Sequence, residues 1–196
     1  MTAPSPPENL ASRTPRLVTV AAGGILSRFY SRTHEPIFFD RGKHSRLNAP
    51  DGAYGVLYGA DSANGAFAET FLRQPARQQI PGDLLAAKAY VRLRATRKLT
   101  FIKLMGTGLA PLGATAEVTH GGLPYNAPQA WSAALHDHPV RSDGIAYTAR
   151  HDDSAICYAI FERANSGVEE VNRDPDLDAN WFWAIAEEYD AGRAPG

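Results

Sequence analysis

The side chains that could do chemistry gather early in the chain: Arg28, Arg46, Tyr58 and Glu69. Arg28 stands in LSRFYS, whose partial alternation reads as a strand carrying Arg28 and Tyr30 on one face. Flanked by Leu26, Phe29 and Tyr30, it is either a surface charge or a guanidinium kept in a core strand for a task. Arg46 and Asn48 begin a loop broken by Gly52 and Gly55. Val56-Leu57-Tyr58 follows as a short apolar run of strand formers, and Glu69 comes eleven residues after Tyr58. On a helix, Glu69 shares a face with Gly65 and Ala66. It is then either a solvated helix glutamate or a carboxylate presented to a cleft near Tyr58, with the small residues leaving room beside it. Guanidinium groups meet oxyanions through paired hydrogen bonds, and a carboxylate answers a positive charge that grows in a transition state.

Several elements must position these groups. Asp61 or Ser62 caps a helix over 63–73, and Phe67 and Phe71, four apart, form its buried stripe. Residues 17–20 and 26–31 read as strands. Residues 33–45 read as a loop anchored by Phe38 and Phe39, and 77–83 as another loop. Strands over 86–93 and 98–104 are expected to join as a hairpin. A short helix is expected over 109–115, and a longer one over 126–137 with Asn126 as its cap and Pro128 in its first turn. Strands over 145–147 and 154–161 precede a last helix capped by Asp178 or Asn180. Its Trp181, Phe182, Ile185, Ala186 and Tyr189 form an amphipathic stripe that reads as core packing. The proline- and serine-rich residues 1–15 read as a flexible or loosely docked arm ahead of one domain over 16–192.

Composition excludes several classes. The chain has 196 residues and a formal net charge of −1, so nothing draws the whole molecule to nucleic acid or to an anionic membrane. Arg92, Arg94, Arg97 and Lys98 read as a solvated strand face. Cys157 is the single cysteine and lies in an apolar run, where a buried inert thiol is expected. No intrachain disulfide can form, which agrees with a reducing, cytoplasmic setting. No apolar run approaches membrane-spanning length. There is no Walker loop, no Gly-x-Gly-x-x-Gly and no Gly-x-Ser-x-Gly; Gly106-Thr107-Gly108 lacks a third glycine. His136 and His138 end a helix, and His151-Asp152-Asp153 is a polar loop, so no metal is expected.

Taken in order, these residues resemble the RES family, named for an arginine, a glutamate and a serine. The matching pieces are Arg28 in LSRFYS, Arg46-x-Asn48, Val56-Leu57-Tyr58, Ala66-x-x-Glu69, Trp131-Ser132 and Asp143-Gly144-Ile145-x-Tyr147. The resemblance implies an α/β (α+β) domain with a split mixed β-sheet flanked by helices, similar to the ADP-ribosyltransferase toxins. It implies a toxin that consumes NAD as substrate by hydrolysis or phosphorolysis, or that transfers ADP-ribose to a protein. A catalytically weak nucleotide- or partner-binding protein is the alternative. By the same likeness Glu69, Arg28 and Ser132 are the catalytic residues, and Arg46, Tyr58, Tyr30 and Asn48 contact substrate. The implied partner is a cognate antitoxin with its own DNA-binding domain, with room for a homodimer in the complex.

The chain departs from the family pattern in places. The family usually carries a glycine pair before the second arginine and an aromatic after it; here stand His44-Ser45 and Leu47. Ring stacking then falls to Phe29, Tyr30 or Tyr54. Thr148-Ala149 stands where family members often carry a serine after the tyrosine matched by Tyr147.

Overall fold

The computed structural model describes residues 3–72 and 78–195. In chain order the elements are β1 (Leu17–Val20), β2 (Ile25–Ser31), β3 (Val56–Ala60), α1 (Ala63–Phe71), β4 (Gln79–Ile80), α2 (Gly82–Ala86), β5 (Lys88–Ala95) and β6 (Leu99–Lys103). There follow α3 (Leu109–Leu112), α4 (Glu117–His120), α5 (Asn126–His136), β7 (Gly144–Ala149), β8 (Asp152–Phe161), β9 (Val168–Asp174), α6 (Asn180–Glu188) and β10 (Gly192–Arg193). Eight strands form one sheet in the order β1-β6-β7-β8-β3-β2-β5-β9, and β4 pairs with β10 apart from it. β6 and β7 run parallel and β7 and β8 antiparallel, so the sheet is mixed.

Period-two alternation divides the strand side chains between two cores. In β8, Cys157, Ala159 and Phe161 enter one core, and Tyr158 and Ile160 the other. The first core receives the buried faces of the helices, among them Phe67, Phe71, Trp131, Leu135, Phe182 and Ile185. Each such side chain contributes about 1.5–3 kcal/mol on burial, which is why the aromatic stripe of α6 packs inward as expected. The second core joins Leu26, Val91 and Leu93 from one half of the sheet to Leu57, Phe101 and Ile160 from the other.

Between those halves the sheet almost divides. β3 pairs with β8 along its whole length and β2 with β5 along its whole length. β2 and β3 share the single registered pair Ser27↔Ala60. Past that pair the two strands part, and their polar groups must find other partners. This seam is the observed form of the expected split sheet.

α1 begins as its cap residues suggest: Ser62 Oγ accepts from Gly65 N at 3.1 Å. Asp61 is used differently, accepting from Ile156 N at 3.3 Å. Gly65 does not make room for Glu69. A Cβ there would stand 2.8 Å from the Ala155 Cβ and 3.2 Å from the Ala60 Cβ, so the glycine lets the helix sit close on β8 and β3. The expected end of this helix at Arg73 lies outside the described residues, as does the start of the 77–83 loop, whose later residues open α2.

Other expectations need correction. β5 and β6 do not form a hairpin: β5 pairs with β2 and β9, β6 with β1 and β7, in opposite halves of the sheet. Their alternation is local, whereas their partners are chosen by which faces must be buried. β9 gives no apolar alternation because it is an edge strand exposed over most of its length. α5 and α6 follow Tyr125 and Ala179 with no side-chain cap, so Asn126, Asp178 and Asn180 do not cap them. Asp178 instead accepts from Trp183 Nε1 at 2.8 Å and from Arg193. The N-terminal segment is docked on the domain. Trp131 Nε1 donates to Pro4 O at 2.7 Å, Leu10 is buried, and His138 Nε2 lies 3.2 Å from Arg13 O.

Candidate active site

A cavity of about 340 Å³ opens at the seam between β2 and β3, within the size range of small-molecule sites. Arg28 and Tyr30 reach it from β2, Arg46 from the loop before β3, Tyr58 from β3 and Glu69 from α1. Arg28 spans the parted strands. Its Nη1 donates to Tyr58 O at 2.6 Å and its Nε to Pro36 O at 3.2 Å. Burial pushes its pKa down to about 10 while nearby Asp40 opposes that shift, so the guanidinium stays charged at neutral pH.

Arg46 lies with its guanidinium 6.0 Å from the centroid of the Tyr125 ring. Its Nε is buried and has no hydrogen-bond partner among the described residues. Such a donor costs on the order of 1–3 kcal/mol, a deficit that calls for a functional explanation. The Tyr58 hydroxyl accepts from Leu47 N at 3.0 Å and donates to Asn48 Oδ1 at 2.9 Å, tying the Arg46 loop to β3.

Glu69 is no solvated helix glutamate. Its side chain is 23% exposed. Oε1 accepts from Arg150 N at 2.9 Å, and Oε2 accepts from the Tyr147 hydroxyl at 3.4 Å and lies 3.9 Å from Arg46 Nη1. Desolvation first, and then the Glu69 charge, hold the Tyr147 pKa well above the ordinary phenol value, so this hydroxyl remains a donor. α1, the turn after β7 and the Arg46 loop therefore orient one carboxylate at the cavity wall.

A family model described as RES domain matches residues 25–181, a span that contains every one of these groups. The chain belongs to the RES domain family. No curated protein and no solved structure matches it. The family is associated with NAD-related enzymatic activity.

Two residues assigned to the chemistry by resemblance lie outside the cavity of this RES domain. Ser132 is fully buried in α5. Its Oγ donates to Leu47 O at 2.6 Å, so the Tyr54 hydroxyl, 2.8 Å away, is the donor to Ser132. Burial raises the Tyr54 pKa to about 12, which keeps that donor protonated. Ser132 is therefore outside the cavity lining, and it holds Leu47, the residue next to Arg46, as a positioning residue would. Ser132→Ala should lower stability by roughly 1–3 kcal/mol through the unpaired Leu47 carbonyl and Tyr54 hydroxyl, with turnover little changed. Denaturant unfolding alongside an NAD assay checks this, and lost turnover at normal stability would return Ser132 to the chemistry. Asn48 is likewise fully buried. Its Nδ2 donates to Asp40 Oδ2 at 2.9 Å and to Gly42 O at 2.7 Å, so it braces the loop and lies outside the cavity lining.

The RES domain also brings in groups to which the sequence assigned no role in a site. Asp40, Lys88, Tyr125, Arg150 and His151 line the cavity. Arg150 and His151 follow β7 directly, but nothing local says that this turn meets α1. Phe29 and Tyr30 line the cavity, whereas Tyr54 stacks on His136 with ring centroids 3.9 Å apart, outside it. A stacked His34–Phe38 pair, with centroids 4.1 Å apart, adds a further ring surface at the cavity. Cys157 lies in the cavity wall, its pKa raised by burial. No group of three or more potential metal ligands occurs among the described residues, and His138 is buried against the N-terminal segment. No helix among them is long and apolar enough to cross a membrane.

Proposed function

We propose that this RES domain cleaves the nicotinamide–ribose bond of NAD. The observation that carries the reading is the convergence of Arg28, Arg46, Tyr58 and an oriented Glu69 on one cavity. The pyrophosphate of NAD suits two guanidinium groups from separate segments. Tyr58 and Tyr125 offer ring faces beside the nicotinamide or a ribose. Bond breaking passes through an oxocarbenium-like state. A carboxylate that accepts from the ribose 2-hydroxyl binds this state more tightly than the ground state, so its contribution appears as rate. Nicotinamide leaves neutral, so no general acid is needed for it.

The same reading makes the chain a toxin. An antitoxin that covers the cavity would restrain it and would supply the DNA contact that a net charge of −1 leaves to a partner. The test is nicotinamide release from NAD by the purified protein, with and without phosphate and with candidate acceptor proteins. Absence of release overturns the enzymatic reading, and NAD affinity without turnover favours a nucleotide-binding protein. Expression of active protein without its neighbouring gene should arrest bacterial growth; unimpaired growth counts against the toxin role.

A further inference from the structure

Beside the cavity lies a second, more open depression, and the two meet at Arg150 and His151, which line both. These residues form the turn between β7 and β8. The turn is pinned to the catalytic carboxylate by its main chain, because Arg150 N donates to Glu69 Oε1 at 2.9 Å. Its side chains stand where the cavity opens into the depression. The depression is also lined by Asp61, Asp152, Asp153 and Glu188, four carboxylates against the single guanidinium of Arg150.

Building on the reading above, we propose that the depression admits the second substrate, that this substrate is water, and that His151 takes its proton. When the bond between C1′ and the pyridinium nitrogen breaks, its electron pair stays on that nitrogen and cancels the ring charge. The water oxygen forms the new bond to C1′. One of its protons passes to an imidazole nitrogen of His151, and the imidazolium releases it to solvent. The sum is NAD plus water giving ADP-ribose, nicotinamide and one proton, with no redox partner.

Three considerations support the assignment. In the reading above Glu69 acts on the ribose, and its Oε1 already accepts from Arg150 N, so a neutral nucleophile calls for another base. His151 is solvent-exposed, which lets it discharge a proton. A phosphate dianion needs no base, and a depression lined by four carboxylates and one guanidinium disfavours its entry by this route. The charged and titratable groups facing His151 are Arg150 beside it, Glu69 from α1, Arg46 from its loop and His120 from α4. Partial desolvation, then the Arg150 charge, hold its pKa below the ordinary imidazole value. The ring is therefore neutral at pH 7, and its capacity as a base is lost only as pH falls through that lowered value.

The experiment compares wild type, His151→Gln and His151→Ala from about pH 5 to about pH 8, at saturating NAD, with and without inorganic phosphate, identifying the products. Wild type should yield ADP-ribose in both buffers, with kcat falling at the acid end. His151→Gln should lower kcat roughly 10²-fold with KM unchanged and should lose the acid limb that the histidine contributes. Added imidazole should restore part of the His151→Ala rate. A His151→Gln enzyme with the wild-type rate and pH profile overturns the base assignment, and ADP-ribose 1-phosphate as the main product overturns water as acceptor. A wild-type protein that leaves NAD intact overturns the underlying reading and this one with it.

Discussion

Replacing Glu69 by glutamine should lower NAD turnover by roughly 10²–10⁴, the scale of a positioned catalytic group, and change NAD affinity little. The substitution keeps the shape and removes the charge. Ground-state contacts to a ribose hydroxyl survive, because an amide oxygen still accepts, but the interaction that strengthens with the oxocarbenium charge is gone. The surroundings make the comparison clean. Arg150 N and the Tyr147 hydroxyl hold the side chain in place and are donors that an amide oxygen can still satisfy one at a time. One acceptor is nevertheless lost, so stability should fall by roughly 0.5–1.5 kcal/mol, below the full value of a charge-assisted bond because the group is partly solvated. Single-turnover kinetics, calorimetric NAD binding and urea unfolding separate these effects. Near-normal turnover would remove Glu69 from the transition state, and an equal loss of affinity would make it a binding residue.

Arg28→Ala should weaken NAD binding by about 10- to 10²-fold, the equivalent of one charge-assisted contact of roughly 1.5–3 kcal/mol. It should also destabilise the fold by about 1–3 kcal/mol, because the side chain donates to Tyr58 O and Pro36 O where β2 and β3 have parted. Arg46→Ala should weaken NAD binding to a similar extent at a smaller structural cost: it loses the 3.9 Å pairing with Glu69 and the Tyr125 ring contact, but its buried Nε bonds to nothing among the described residues. The contrast is the informative part: both guanidinium groups serve the ligand, and only Arg28 also bridges the seam. Calorimetry of NAD binding with chemical unfolding of each variant measures it. Unchanged affinity in both variants would remove the pair from the site.

The sequence by itself determined what depends on neighbours a few residues away. Partial alternation marked β2, apolar runs marked β3 and β8, the four-residue spacing of Phe67 and Phe71 marked the buried face of α1, and Asp61 or Ser62 marked its start. The order of arginines, tyrosine and glutamate carried the RES likeness that the family match over 25–181 bears out. The tertiary structure decided everything that depends on distant partners. Whether Glu69 is solvated or oriented turned on Arg150, eighty-one residues further along the chain. Ser132 and Asn48 were read as site residues through the RES likeness alone. Folding instead spends them on Leu47 O, Gly42 O and the Tyr58 hydroxyl, because a buried backbone carbonyl or phenol must be paired. Arg150 went unremarked and His151 read only as part of a polar loop, and they reach the cavity only because β7 carries them alongside α1. Strand pairing followed the same rule: alternation says which face of β5 is apolar, but only the packing of two cores tells it to join β2 and leave β6 to the other half of the sheet.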